Sequence, residues 1–169
     1  MTGVTARLTR LVRRAACALF LVVLTVSAMA QVSPAGKRYA LVVGNGNYSD
    51  LPDLASPAGD AASLARVLES VGFSVETLVD TDLPTMEDAL VRFGARLGTS
   101  RDATGFFYFA GHAVQASGVN YLLPANARIA SEAFLKTKAL PVQPVMDIVQ
   151  ASGNGLNMVV LDASHESPF

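Results

Sequence analysis

Two apolar runs in this chain end in residues able to do chemistry. Phe106-Phe107-Tyr108-Phe109-Ala110 leads into Gly111-His112, and Val159-Val160-Leu161 leads into Asp162-Ala163-Ser164. An imidazole can act as general acid or base at neutral pH. A serine hydroxyl becomes a nucleophile only beside a positioned base, which usually needs a third group to orient it. The two tips, His112 and Ser164, lie 52 residues apart. Strands that end this way deliver side chains to the carboxyl edge of a parallel sheet, where open α/β folds bind ligands. Taken alone, His112 also fits a plain loop histidine. The Gln115, Gly118 and Asn120 that follow favour a site in a polar, flexible loop. Ser164 is either a nucleophile activated by His112 or an inert residue. The hydrolase elbow G-x-S-x-G is absent, because Ser164 lies between Asp162-Ala163 and His165-Glu166.

Two acids belong to the same set of candidates. Asp162 ends an apolar strand and reads either as an acid bonded to loop amides or as one facing a cleft and a cationic group. Asp60 lies near a helix start, where a carboxylate is favourable on its own account. Metal chemistry is unsupported, since the two histidines are isolated and the single cysteine, Cys17, lies near the start. A nucleotide cofactor is also unsupported. Gly44-Asn45-Gly46-Asn47-Tyr48-Ser49 begins like G-x-G-x-x-G, but the third glycine is a serine and no helix opens there. The acid after the next strand, Asp80, lies 36 residues past Gly44 instead of about 20. No cofactor is expected.

The elements that must position these residues alternate. Residues 38–44 read as a buried strand and 45–55 as a loop. Ser56-Pro57 opens a helix as N-cap and first residue. That helix carries Ala61, Leu64, Ala65, Leu68 and Val71 on one face, and Gly72 stops it. Residues 73–79 form a second strand. A helix from Thr85, capped by a Thr85-x-x-Asp88 box, presents Met86, Ala89, Leu90, Phe93 and Leu97. Residues 105–110 form a central strand, apolar throughout. A short extended segment or small hairpin follows at 119–124. Residues 127–141 read as a helical turn around Glu132 and then loop. A helix at 144–152 and a strand at 157–162 complete the series. Strands alternating with helices predict an α/β fold, a mostly parallel sheet with helices on both faces.

The first 30 residues stand apart. Arg7, Arg10, Arg13 and Arg14 precede an apolar run from Ala15 to Val26 and a small-x-small site, Ala28-Met29-Ala30. This reads as a secretory signal peptide cleaved before Gln31, with 31–37 a short polar leader and 38–169 the domain. The run is short for a membrane anchor. Export to the periplasm or medium is the expectation. From Gln31 onward nine Lys and Arg face fourteen Asp and Glu, a balance of −5, with no cysteine left. An acidic domain without a basic cluster is a poor partner for nucleic acid.

The segments RYALVVGNGNY, GDAASLARVLESVGFSV, FFYFAGHAVQASGVNYLLPAN and MVVLDASHESPF together resemble the caspase-like cysteine peptidases, in particular the bacterial metacaspase-like branch. The histidine segment is specific, and it stands in the right order and spacing before the final strand. The resemblance implies a three-layer caspase-type sandwich and a Cys–His dyad endopeptidase. It implies that Asp60 and Asp162 form a pocket for Arg or Lys, and that amides at Ala113 and Ser164 contribute to the oxyanion hole. It also marks departures. Ser164 stands where the family has its nucleophilic cysteine, His165 where an arginine is usual, and Ala113 where Gly-His-Gly has its second glycine. If that position needs a glycine-only conformation, Ala113 is strained. Three changes together point to natural loss of activity, because a serine in a thiolate site has a far higher pKa and lacks a third helper. The family normally continues with further strands, so the domain is expected to be incomplete at its C-terminal end. The expected partners are Arg- or Lys-containing peptides, a downstream small-subunit segment or an active relative. A peptidase working through Ser164 and His112, and a purely interacting module, are the alternatives.

Overall fold

The computed structural model describes residues 36–164. The signal-peptide reading over 1–30, most of the leader and His165 lie outside them. Strand β1 (Arg38–Gly44) is apolar in successive residues, and both its faces are buried. It pairs in parallel with β2 (Ser74–Val79) on one side and β3 (Thr104–Ala116) on the other. Strand β6 (Leu156–Ser164) pairs in parallel with β3. The short strands β4 (Val119–Leu122) and β5 (Leu140–Pro141) add antiparallel to the far half of β3.

The helices sort onto the two faces by the period of two along each strand. Ala40, Val42, Tyr108 and Ala110 meet Ala61 and Leu68 of α1 (Pro57–Ser70). Leu41, Val43, Phe107 and Phe109 meet the other helices. These are α2 (Leu83–Leu97), through Met86, Leu90 and Phe93, and α4 (Val142–Ala151), through Val145 and Val149. The result is the expected three-layer α/β arrangement. Helix α1 covers only part of its face. On β6, Leu156, Met158 and Val160 remain 54%, 38% and 41% exposed. Among the described residues β6 pairs with β3 alone.

Several local expectations are corrected. Strand β3 does not end at Ala110. It runs on through His112 to Ala116 and turns back at Ser117-Gly118, whose φ values of 49° and 79° fit the primed turn that a tight hairpin needs. The polar residues that suggested a loop lie in that hairpin. Gln115 pairs with Asn120, while Val114 and Tyr121 are buried beside them. Helix α2 starts two residues before Thr85, and its N-cap is Asp82, whose carboxylate accepts from the Thr85 amide at 3.0 Å. The Thr85 box reading missed an acid already placed to take an orphan N–H. Ser56 does occupy the N-cap of α1, but its side chain makes no capping bond. Val71, assigned to the buried face, is 50% exposed. The helical turn expected around Glu132 is present as a 3-10 turn (Glu132–Phe134), but a further helical turn α3 (Leu135–Lys138) and then β5 follow where loop was expected.

Candidate active site

The register between β3 and β6 joins the two chemical tips. Ala110 faces Asp162, Gly111 faces Ala163, and His112 faces Ser164 as direct partners on adjacent parallel strands. Residues 52 apart in sequence therefore stand one strand spacing apart, about 4.8 Å. His112 is 1% exposed, and no hydrogen bond links its side chain to Ser164 among the described residues.

Three contacts fix the imidazole. Its Nε2 lies 2.8 Å from the carbonyl oxygen of Pro52. A carbonyl only accepts, so Nε2 carries the proton, and in the neutral ring Nδ1 holds the lone pair. The His112 backbone N–H donates to the Tyr48 hydroxyl at 2.8 Å, and the two rings stack at a tilt with centroids 4.7 Å apart. Burial pushes the Tyr48 phenol up to about 12, outweighing the His112 amide that favours its anion, while the nearby charge of Asp80 adds to the rise. The hydroxyl therefore stays protonated at neutral pH.

Gly111 is what lets Tyr48 come so close. Its φ is +153°, and a β-carbon there would lie 2.5 Å from Tyr48 Oη and 3.0 Å from both the Asn45 carbonyl oxygen and the Phe109 ring. The glycine before the histidine is thus required by close approach as well as by backbone angle. Ala113 is different. It has no left-handed backbone, and it sits buried in the ladder opposite Leu122. The strain expected if its site demanded a glycine does not arise.

Asp162 touches, and Asp60 acts electrostatically on, a residue that sequence reasoning missed. The Tyr108 hydroxyl donates to Asp162 Oδ2 at 3.4 Å. Burial raises the Tyr108 phenol, and the charges of Asp162 and then Asp60 raise it further. Asp60 lies in the first turn of α1, and both carboxylates are exposed. Tyr108 was legible in principle, since it sits two and four residues before Ala110 and His112 on an alternating strand. Pro52 contributes a main-chain oxygen, for which residue type gives no signal. Among the described residues no three His, Cys, Asp or Glu side chains gather as metal ligands.

A mostly parallel α/β sandwich that pairs His112 with Ser164 on two neighbouring strands is consistent with a caspase-type domain. The caspase domain family matches residues 37–168, and the chain belongs to that family. It is also 30% identical over 125 residues to the human (Homo sapiens) mucosa-associated lymphoid tissue lymphoma translocation protein 1, and 29% identical to its mouse (Mus musculus) homologue. These alignments cover 74% of this chain but only 15% and 14% of the relatives, so the chain spans a small part of their length.

Proposed function

We propose that this chain is an exported caspase-like domain, of a cysteine-type endopeptidase family, that binds Arg- or Lys-containing peptides but is silenced for cleavage by Ser164. The observation that carries this reading is the pairing of His112 with Ser164, beside Asp162, which accepts from the Tyr108 hydroxyl. A cysteine in that position would attack the scissile carbonyl as a thiolate. Amides at Ala113 and at the nucleophile would receive the developing oxyanion. The imidazolium of His112 would then give its proton to the leaving amine as the C–N bond breaks, and water would release the acyl group. With Ser164 the first step stalls. The hydroxyl must lose its proton as it attacks, and His112 is oriented by a neutral carbonyl; among the described hydrogen bonds no carboxylate stabilises the imidazolium that forms.

Asp60 and Asp162 support a basic side chain as ligand, since both are exposed and act on one phenol. Mixed apolar exposure along β6 supports a protein partner on that side, either an active relative or a further caspase-type segment. The test is hydrolysis of fluorogenic Arg- and Lys-ended peptides by the protein, by Ser164→Cys and by Ser164→Cys/His112→Ala. Cleavage by Ser164→Cys alone is expected. Turnover by the unaltered protein that Ser164→Ala abolishes would overturn the silenced reading. Neither binding nor turnover in any variant would leave an interaction module.

A further inference from the structure

The loop between β1 and α1 supplies both groups that hold His112, the Tyr48 hydroxyl and the Pro52 carbonyl. It contains the glycine pattern that resembles a phosphate-binding turn. The structure shows what those amides hold instead. Asp80, immediately after β2, accepts from the Gly46 N–H at 2.7 Å and from the Asn47 N–H at 2.9 Å with one carboxylate oxygen. Its other oxygen accepts from the Asn47 side-chain amide. The loop thus closes on an internal anion, as successive backbone amides close on phosphate elsewhere.

We infer that Asp80 is a positioning residue for His112: its carboxylate anchors the loop whose Tyr48 and Pro52 fix the ring's place and tautomer. This rests on the reading of His112 as the acid–base residue of the site.

Further observations bear on it. Asp80 adopts φ +48°, a conformation unfavourable for most side chains and accepted here where the carboxylate meets the loop. The loop is then closed on itself from Gly46 onward, with the Leu54 N–H on the Gly46 carbonyl at 2.8 Å and the Tyr48 N–H on Asp53 Oδ1 at 2.8 Å. Pro52 lies inside that closed segment, so the place of its carbonyl follows the place of the loop. Other ties hold the loop too: the Ser49 N–H donates to the Ala125 carbonyl at 3.0 Å, the Tyr48 hydroxyl donates to the Leu123 carbonyl at 3.4 Å, and Asn45 anchors the start. Asn45 is fully buried, with its side chain bridging the Thr81 N–H at 3.0 Å and the Leu123 carbonyl at 3.1 Å. Asn45 fixes where the loop leaves β1. Asp80 fixes the next two residues, directly before Tyr48. Burial works against the Asp80 anion, but the Asn47 and Gly46 amides and the Asn47 side chain outweigh it and hold the carboxyl below its ordinary range. The anchor is therefore charged at neutral pH.

The decisive variant is Asp80→Gly. Glycine favours the backbone angle at residue 80, so it removes the anchor while relieving strain. Asp80→Asn tolerates the same angle and keeps one acceptor. The readout is the protonation of each His112 ring nitrogen by long-range 1H–15N correlation in histidine-labelled protein, with His112→Ala identifying the signals. In the unaltered protein the Nε2–H form should dominate. In Asp80→Gly the Nδ1–H form should rise at least threefold while circular dichroism stays native, with Asp80→Asn intermediate. A folded Asp80→Gly with an unchanged tautomer ratio overturns the inference. Should that variant fail to fold, Asp80→Asn decides by the same readout, and an unchanged ratio there overturns it too. The tautomer is measured without substrate, so a failure of the peptidase reading would appear separately, as Ser164→Cys that does not cleave.

Discussion

Gly111→Ala tests the packing on which the site depends. The added methyl would meet Tyr48 Oη at 2.5 Å, the Asn45 carbonyl at 3.0 Å and the Phe109 ring at 3.0 Å, all from groups that are themselves buried. Overpacking a filled interior costs about 1–3 kcal/mol. A side chain at φ +153° adds backbone strain of order 1–3 kcal/mol. If Tyr48 yields, its bond from the His112 N–H goes, worth roughly 1 kcal/mol or more because the amide is buried. These terms overlap, since any shift that relieves the clash also breaks the bond, so we expect about 2–4 kcal/mol of destabilisation. Urea unfolding followed by circular dichroism would show a lower midpoint at unchanged slope. A double-mutant cycle with Tyr48→Phe sharpens the test. Removing Oη removes the nearest clash, so the pair should cost less than the two single changes summed, by at least about 0.5 kcal/mol. A Gly111→Ala cost below about 0.5 kcal/mol, or strict additivity with Tyr48→Phe, would refute the reasoning.

Three other outcomes are expected. Tyr48 has its phenol raised to about 12, so the stability it contributes is intact below the ordinary value of 10.0 and is lost as pH rises from there towards 12; Tyr48→Phe should flatten this alkaline limb in urea titrations. Ala113→Gly relieves no strain and should destabilise by about 0.5–1 kcal/mol through lost backbone restriction, whereas a gain in melting temperature would show that Ala113 is strained after all. Asp82 is held below its ordinary value by Thr85, through side chain and amide. Its capping contribution is thus present above about pH 4 and fades as pH falls below; Asp82→Ala should lower the urea midpoint at pH 7 and shrink its difference from the unaltered protein at acid pH.

Much of the frame was legible because it depends on local pattern. The unbroken apolar runs of β1 and β3 and the spacing of Met86, Ala89, Leu90, Phe93 and Leu97 follow from burial on two faces or one. The candidates His112, Asp162 and Ser164 stood out because they follow apolar runs, and Asp60 because it lies at a helix start; their order along the chain matches the caspase domain. Helix starts were less legible: Asp82 and Thr85 both resemble caps, and only the loop's path from β2 decides which side chain reaches an orphan amide.

What the residues alone determined is the order of elements, the apolar faces and the chemical identity of the two strand tips, since each depends on neighbours a few positions away. Register and approach were decided only by the tertiary structure. Pairing His112 with Ser164 requires β6 to lie beside β3 without a one-residue slip. Fixing the imidazole requires a main-chain oxygen of Pro52, which any residue could have supplied, and a hydroxyl from Tyr48 that reaches it only across the bare backbone of Gly111. Asp80 looked like a misplaced nucleotide-binding acid until the fold brought it against the amides of Gly46 and Asn47. Such contacts join residues more than thirty positions apart, and they form because a buried polar group must find a partner wherever the packed chain offers one.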